Sequence, residues 1–374
     1  MGHAEVTLAI ARAVEDARTL PAFPKKDGLP RSRRVAMGDP QAPLETVMNL
    51  LDGHGLLGEA GRLAPDAELV SMGDHFDFGS LSERARAGEA GTELLAWLAA
   101  HPSDQVTILI GNHDLARVGE LARFDDDSFR EAQVEADAGY WAQAPIRAER
   151  DYRARWGVPS WEMIARDFSN FRVEQRTLVT ALLQTKRFRV AYAVADDLLL
   201  THAGVTLDEL DALGASFTDA HAIADALNTA LESAVASWQS GPLSVGALHQ
   251  PGDAAGEGVG MFYHRPVRVQ GPVQRGHLRR RFDVRRLPRG LTQAVGHTRD
   301  LKSRKLLQLD EAGAADGRLR HVAIEGEEIV LGAGRPPPAT AESAVLVFLD
   351  GGMNDVFPAS YELLDLDTRE ARRR

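Results

Sequence analysis

Asp39, Asp74, Asn112, His202 and His297 each stand directly after an apolar run, and most of them adjoin a glycine. The local sequences are Met37-Gly38-Asp39, Met72-Gly73-Asp74, Ile110-Gly111-Asn112, Thr201-His202 and Gly296-His297. Carboxylate oxygens and imidazole nitrogens together suit manganese, iron, zinc or magnesium. A single Gly-Asp after a strand is a common turn, and a lone histidine is more often structural than a ligand. The weight lies in the ordered set. With no cysteine in the chain, disulfides, thiolate zinc sites and cysteine nucleophiles are excluded.

The elements that must carry these residues follow a rhythm of strand, polar loop and helix. Strands are expected at Arg34 to Met37, Glu68 to Met72, Val106 to Ile110, Arg189 to Val194, Leu198 to Thr201 and Leu346 to Leu349, with another ending at Gly296-His297. Leu44 to Leu57 has helical spacing, with Leu44, Val47, Met48 and Leu51 on one face. Further helices are expected over Ser82 to Ala100 and Asp219 to Gln239. This alternation predicts an α/β sheet that binds ligands at the C-terminal ends of its strands. Residues 115 to 190 break the rhythm and read as a helical insertion near the site mouth, whose aromatics form a core of their own. The expected division is an N-terminal helix and connector over 1–34, one domain over 35–368 and a frayed charged tail over 369–374.

Composition bounds the partners. The 374 residues are 44% hydrophobic and 26% charged, with a net charge of -11. An acidic surface argues against unaided binding to nucleic acid, though a bound metal can dominate the local field around a phosphorylated substrate. No apolar run approaches the roughly 18 residues that suggest a membrane span. The first twenty residues are interrupted by Glu5, Arg12, Glu15, Asp16 and Arg18, so they read as an amphipathic helix and not as a signal peptide. A cytoplasmic location is expected, and the oligomeric state is left open.

The ordered motifs resemble the calcineurin-like metallophosphoesterases. The matching segments are Gly38-Asp39-Pro40-Gln41, Gly73-Asp74-His75-Phe76-Asp77, Gly111-Asn112-His113-Asp114, Thr201-His202-Ala203-Gly204 and Gly296-His297-Thr298, in the family's order over residues 35 to 300. Leu349-Asp350-Gly351-Gly352-Met353 looks like the strand end that follows the last histidine in bacterial members of the phosphoprotein-phosphatase branch, with Shewanella-like phosphatases and diadenosine tetraphosphatases nearest. The resemblance implies two mixed β-sheets packed as a central sandwich flanked by helices. It implies two divalent ions about 3.5–4 Å apart, manganese first among the candidates. Asp39 would bind the first ion and Asp74 would bridge both. Asn112, His202 and His297 would bind the second. A bridging water would attack phosphorus, His113 would protonate the leaving oxygen and Asp77 would orient His113.

Three departures from the family pattern bear on function. Gln41 stands where the family usually has histidine and is a candidate metal residue, either coordinating through its carbonyl oxygen or holding a metal-bound water, so the first ion is expected to be held more loosely or to be an oxygen-preferring one. Phe78 replaces the arginine that usually clamps phosphate after the second motif. Arg265, in Phe262-Tyr263-His264-Arg265, and Arg299 are candidates to compensate, and His75 is expected near the substrate. The gap between Asn112 and His202 is longer than in compact members. His54, His101, His221, His249, His277 and His321 have no motif around them and are expected to be structural or on the surface. The basic cluster Arg275 to Arg286 is expected to be a locally neutralised surface.

The leading expectation is hydrolysis of phosphomonoesters, with phosphoprotein, nucleotide and small metabolite all open as substrates. A phosphodiesterase or nucleoside-polyphosphate hydrolase is the nearest alternative. A degenerate, non-catalytic phospho-ligand-binding protein is the alternative from another class, motivated by Gln41 and Phe78.

Overall fold

The apolar runs pair into two six-stranded sheets in the computed structural model. In chain order, β1 (Arg33–Met37), β2 (Ala67–Ser71), β3 (Val106–Leu109) and β4 (Phe188–Arg189) lie side by side and parallel. The chain then enters the second sheet through β5 (Ala191–Ala195) and β6 (Leu198–Thr201), an antiparallel pair. Two short pairs follow outside the main sheets: β7 (His249–Gln250) with β8 (Val259–Gly260), and β9 (Arg265–Val267) with β10 (Arg281–Asp283). β11 (Thr292–Val295), β12 (Arg320–Glu325), β13 (Glu328–Gly332) and β14 (Ser343–Phe348) complete the second sheet, ordered β13-β12-β14-β11-β6-β5. β15 (Leu363–Asp365) and β16 (Ala371–Arg372) return to the first, ordered β16-β15-β1-β2-β3-β4.

The structure describes residues 28–142, 145–214, 219–276, 278 and 280–373, with Leu8, Ala11, Arg12, Val14, Glu15 and Thr19. Most of the expected N-terminal helix and connector, together with His277, Arg279 and Arg374, lie outside the described residues. Among the described residues, no helix is long and apolar enough to cross a membrane.

Strands buried on both faces need apolar side chains at every position, which is why these runs read as continuous. Alternate residues then serve different layers. Ala36, Val70, Leu109, Leu198, Leu200, Ala294, Val345 and Val347 meet between the two sheets. Val35, Met37, Leu69 and Ile108 face the other way, onto helices α1 (Leu44–Gly53) and α2 (Arg84–Ala99). Ala344, Leu346 and Phe348 form the outer core of the second sheet. Two mixed sheets face to face with helices outside match the expected architecture.

Between β3 and β4 the chain builds α3 (Asn112–Ala116), α4 (Asp126–Tyr140), α5 (Ile146–Trp156) and α6 (Val173–Gln184), with a π-helical turn at Met163–Asp167. Phe124, Phe129, Tyr152, Trp161, Phe168 and Phe171 bury together there as a separate core, as the aromatic content suggests. After β6 come α7 (Leu207–Leu213) and α8 (Ala220–Ser237), and α9 (Asp300–Leu307) follows β11. The expected helix from Ser82 starts later, at Arg84, because Ser80 and Glu83 cap a preceding 3₁₀ turn. The tail also differs from expectation. Residues 369–373 are not frayed: β16 pairs with β15, Arg369 bonds Asp197 at 2.6 Å and Arg373 bonds Glu362 at 2.8 Å.

Register explains why the site residues gather. Met37 pairs with Ser71, and Ser71 with Ile108, so β1, β2 and β3 end level in the first sheet. Val295 pairs with both Thr201 and Phe348, so β6, β11 and β14 end level in the second. All six are parallel within their sheets, and their C-terminal ends converge on one edge of the sandwich, where Asp39, Asp74, Asn112, His202, His297 and Asp350 emerge.

Candidate metal centre

Asp74 sits at the middle of this edge, 2% exposed, with φ near 58°. A left-handed backbone is costly for aspartate, so the surroundings must hold it. Asp114 does so: its carboxylate accepts the backbone N–H groups of Asp74 (3.0 Å), His75 (3.1 Å) and Gly111 (2.9 Å). One buried carboxylate thereby staples the second and third motifs together. Gly73 and Gly111 permit the approach, since a Cβ on Gly111 would drive into the Asp74 carboxylate.

Asp74, His202 and His297 bring one ligand atom each to within 4.8 Å of one another, the only such group found among the described residues. His202 Nε2 lies 3.4 Å from Asp74 Oδ2 and 3.2 Å from Asn112 Oδ1. The Met72 carbonyl takes the other ring nitrogen of His202 at 2.9 Å and fixes the ring. Burial lowers the His202 pKa, but the Asp74 and Asp39 carboxylates outweigh it and push the ring up to about 10. Burial alone would raise Asp74; His202 and His113 reverse that and hold its carboxyl far below the usual range. Burial, with Arg265 and His202 nearby, drives His297 well down, so its imidazole is neutral and able to donate a lone pair.

Asp39 is 2% exposed, and its Oδ2 accepts the His297 backbone N–H at 2.7 Å. Its Oδ1 is buried with no hydrogen-bond partner. An orphan carboxylate oxygen beside an oxygen-and-nitrogen donor set fits a divalent cation. Burial, then the neighbouring Asp350 carboxylate, pushes Asp39 well above the ordinary range, so this edge demands positive charge. A cavity of about 360 Å³ is lined by Asp39, Gln41, Asp74, His113, Arg265, His297, Arg299 and Asp350. Gln41 donates its Nε2 to the carbonyls of Phe76 (3.0 Å) and Asp77 (3.3 Å), which bolts the second motif's loop to the first.

His113 stands at the rim. Its Nδ1 is 2.9 Å from Asp77 Oδ2, and its Nε2 is 3.8 Å from Asp74 Oδ2. Asp77 in turn is held at 2.7 Å by Arg117, which is fully buried. Arg117 packs over Phe76 at 4.6 Å and bonds Gln175 at 3.0 Å. The stretch between β3 and β4 completes the support. The Asn170 N–H donates to Asp77 Oδ1 at 2.9 Å, and Phe168 meets the His113 ring edge-on at 5.0 Å. Burial would raise Asp77, but Arg117 and His113 lower it; burial would lower His113, but Asp74 and Asp77 raise it.

The arginines divide. Arg265 lies on the short strand β9 and lines the cavity, with a pKa lowered by burial and by neighbouring Arg280. Arg299 also lines it, but its Nη1 bonds Asp355 at 2.6 Å. Arg117 faces inward, onto Asp77, and does not line this cavity. In the basic cluster, Arg285 pairs with Asp283 and Glu327, and Arg286 pairs with Asp208, as a neutralised surface should.

His75 requires correction. It is fully buried, its Nε2 is 2.9 Å from Ser71 Oγ, and its Nδ1 is 3.0 Å from Asp114. Both ring nitrogens are committed inside the core, so no substrate contact is open to it. Arg117, Asp114 and Asp350 were not among the expected site residues. Arg117 and Asp114 lie within five residues of Asn112, where α3 turns them back onto the loop of the second motif.

No protein-family model matches the chain, and no curated protein matches it. Among solved structures it is similar to a cold-active protein tyrosine phosphatase at 14% identity and a TM-score of 0.41, over 94% of this chain and 77% of that chain. It is similar to the cold-active protein-tyrosine phosphatase of a psychrophilic Shewanella species at 13% identity and a TM-score of 0.39, over 94% of this chain and 78% of that chain. A protein serine/threonine phosphatase from Saccharomyces cerevisiae aligns at 16% identity and a TM-score of 0.33, over 91% of this chain and 94% of that chain.

Proposed function

We propose that the chain is a metal-dependent phosphatase acting on phosphomonoesters, a metallophosphoesterase of the calcineurin-like type. The observation that carries this reading is the convergence of Asp74, His202 and His297 beside a His113–Asp77–Arg117 relay on one strand-end edge. Asp39 and Asp74 would hold one divalent ion, and Asp74, Asn112, His202 and His297 the other, with manganese the first choice and iron, zinc or magnesium compatible. Two such ions supply a nucleophilic water at neutral pH and a positive field for the phosphoryl oxygens.

The chain's own residues do the rest. His113 donates a proton from Nε2 to the leaving oxygen, which a poor alkoxide leaving group requires. Asp77 accepts the Nδ1–H of His113 and so fixes the tautomer that presents Nε2 outward. Arg117 keeps Asp77 ionised. Arg265 offers its guanidinium to a non-bridging phosphoryl oxygen, in place of the clamp lost at Phe78. The substrate is a phosphorylated protein, nucleotide or small metabolite.

The test is hydrolysis of p-nitrophenyl phosphate and bis-p-nitrophenyl phosphate by metal-stripped protein with manganese added back, beside an Asp74→Asn control. Manganese-dependent turnover of the monoester, lost in the control, is the expected result. Preference for the diester moves the reading to a phosphodiesterase. Metal binding without turnover of either ester moves it to a phospho-ligand-binding protein.

A further inference from the structure

Placement at the end of β14 singles out Asp350. Val295 of β11 pairs with Phe348 of β14, and the two strands run parallel. Asp350 therefore leaves its strand two residues after that pair, as His297 does on the neighbouring strand. Asp39 likewise emerges two residues after Met37, the last residue of β1. The backbones of β1 and β14 touch here: a Cβ on Gly38 would collide with the Leu349 carbonyl oxygen. Glycine at 38 thus lets the residues that follow, Asp39 and Asp350, face one cavity.

The turn that carries Asp350 is fixed from both sides. The Tyr361 hydroxyl donates to the Leu349 carbonyl at 3.2 Å and accepts the Gly351 N–H at 3.4 Å. Asp350 Oδ1 accepts the Gly352 N–H at 3.1 Å, and the side chain is only 10% exposed. Its nearest cationic side chain, Arg299, places Nε at 3.9 Å, beyond hydrogen-bond distance. Across the cavity, Asp39 Oδ1 is buried and unpartnered, and the closest imidazole nitrogen, on His202, is 4.0 Å away. Gln41, at the position where the resembling family usually has histidine, has turned its amide nitrogen to Phe76 and Asp77 and can offer only a neutral oxygen.

We propose that Asp350 is a ligand of the ion on the Asp39 side, supplying the donor that Gln41 does not. The inference rests on the two-ion reading above and deepens it. The site so completed is built from carboxylate oxygens of Asp39, Asp74 and Asp350, with no imidazole of its own. Hard oxygen donors suit manganese or magnesium. Three carboxylates against two divalent ions leave positive charge for a phosphate dianion.

The measurement is manganese bound per chain, by elemental analysis after equilibrium dialysis, with electron paramagnetic resonance to detect coupling between two ions. The full-length parent is expected to bind two coupled ions. Asp350→Asn is expected to bind one, uncoupled, and Gln41→Ala to keep two. Gln41→His in the Asp350→Asn background reinstates an imidazole and is expected to restore the second ion, which a merely structural role for Asp350 would not allow. Two coupled ions in Asp350→Asn at parental affinity overturn the proposal while leaving the two-ion reading intact. A parent that binds no manganese overturns both. If Asp350→Asn does not fold, anomalous scattering from manganese-soaked parent crystals decides: an ion coordinated by Asp350 supports the proposal, and one beyond bonding distance from it overturns it.

Discussion

The proton state of His113 is set by burial, which lowers its pKa, and by Asp74 and then Asp77, which raise it. Asp77 holds its Nδ1 at 2.9 Å, and a fully buried arginine holds Asp77 at 2.7 Å. Removing the ring should leave metal content intact. His113→Ala is expected to lose turnover of an alkyl phosphate by about 10²- to 10⁴-fold, with a smaller loss on p-nitrophenyl phosphate, whose leaving group needs no acid. Equal losses on both substrates would remove the proton-donor role. Arg117→Met keeps much of the volume but strands the Asp77 carboxylate in the interior. It should cost about 3–5 kcal/mol of stability, the usual penalty for breaking a buried pair from one side. Denaturant unfolding reads this directly, and a loss under 1 kcal/mol would show that Asp77 is neutral in the fold. Arg117 could not be singled out in the sequence, because an arginine four residues after a histidine says nothing about which carboxylate it meets. His75 was misjudged for a related reason. Adjacency to Asp74 suggested a shared direction, but the left-handed backbone at Asp74 turns the next side chain into the core.

At the level of elements, strands and their ends were legible and the support behind them was not. β1, β2, β3, β6 and β11 could be placed because strands covered on both faces must be apolar throughout, and the candidate ligand residues follow at once. The stretch between β3 and β4 could be recognised as helical, with an aromatic core. Its part in the site could not, since that lies in two long-range contacts, Asn170 to Asp77 and Phe168 to His113. The pairing of β16 was also hidden: a run of arginines at a chain end looks solvated until Asp197 and Glu362 are known to face it. The glycines at strand ends carry a consequence that can be tested. Gly296 has room for no Cβ, because the Asp39 carboxylate occupies that space. Gly296→Ala should push Asp39 aside and weaken manganese binding by tenfold or more, about 1.4 kcal/mol. The secondary structure seen by circular dichroism should stay as in the parent. Parental affinity in isothermal titration would show that Asp39 contributes little to the centre.

The whole molecule carries a separate acid sensitivity in two buried histidines that the proposed chemistry does not use. His101 is 1% exposed, donates Nδ1–H to the Trp97 carbonyl at 2.8 Å and accepts the Leu63 N–H on Nε2 at 3.2 Å. A proton on Nε2 would destroy the second bond, and burial holds the ring down at about 4. His249, also buried, is pushed down to about 3. Both are neutral in the fold and titrate near 6.5 once unfolded. Between those values the unfolded chain binds more protons, so stability is full above about pH 6.5 and falls as the pH drops towards 4. Each ring contributes a slope approaching about 1.4 kcal/mol per pH unit in the middle of its window. His202, raised to about 10, has the opposite sign and a different window. Its contribution is constant below about pH 6.5 and fades only as the pH rises from there through 10, so it does not mask the acid limb. Raised carboxyls such as Asp39 have the opposite sign in the same window, so the histidine limb is read by difference, from guanidinium unfolding of the chelator-treated parent and His101→Gln at pH 7 and pH 5. Glutamine at position 101 can both donate and accept without titrating, so His101→Gln should flatten the slope by one proton's worth. An unchanged slope would mean that His101 is already protonated in the folded chain, and that the Leu63 N–H finds its acceptor elsewhere.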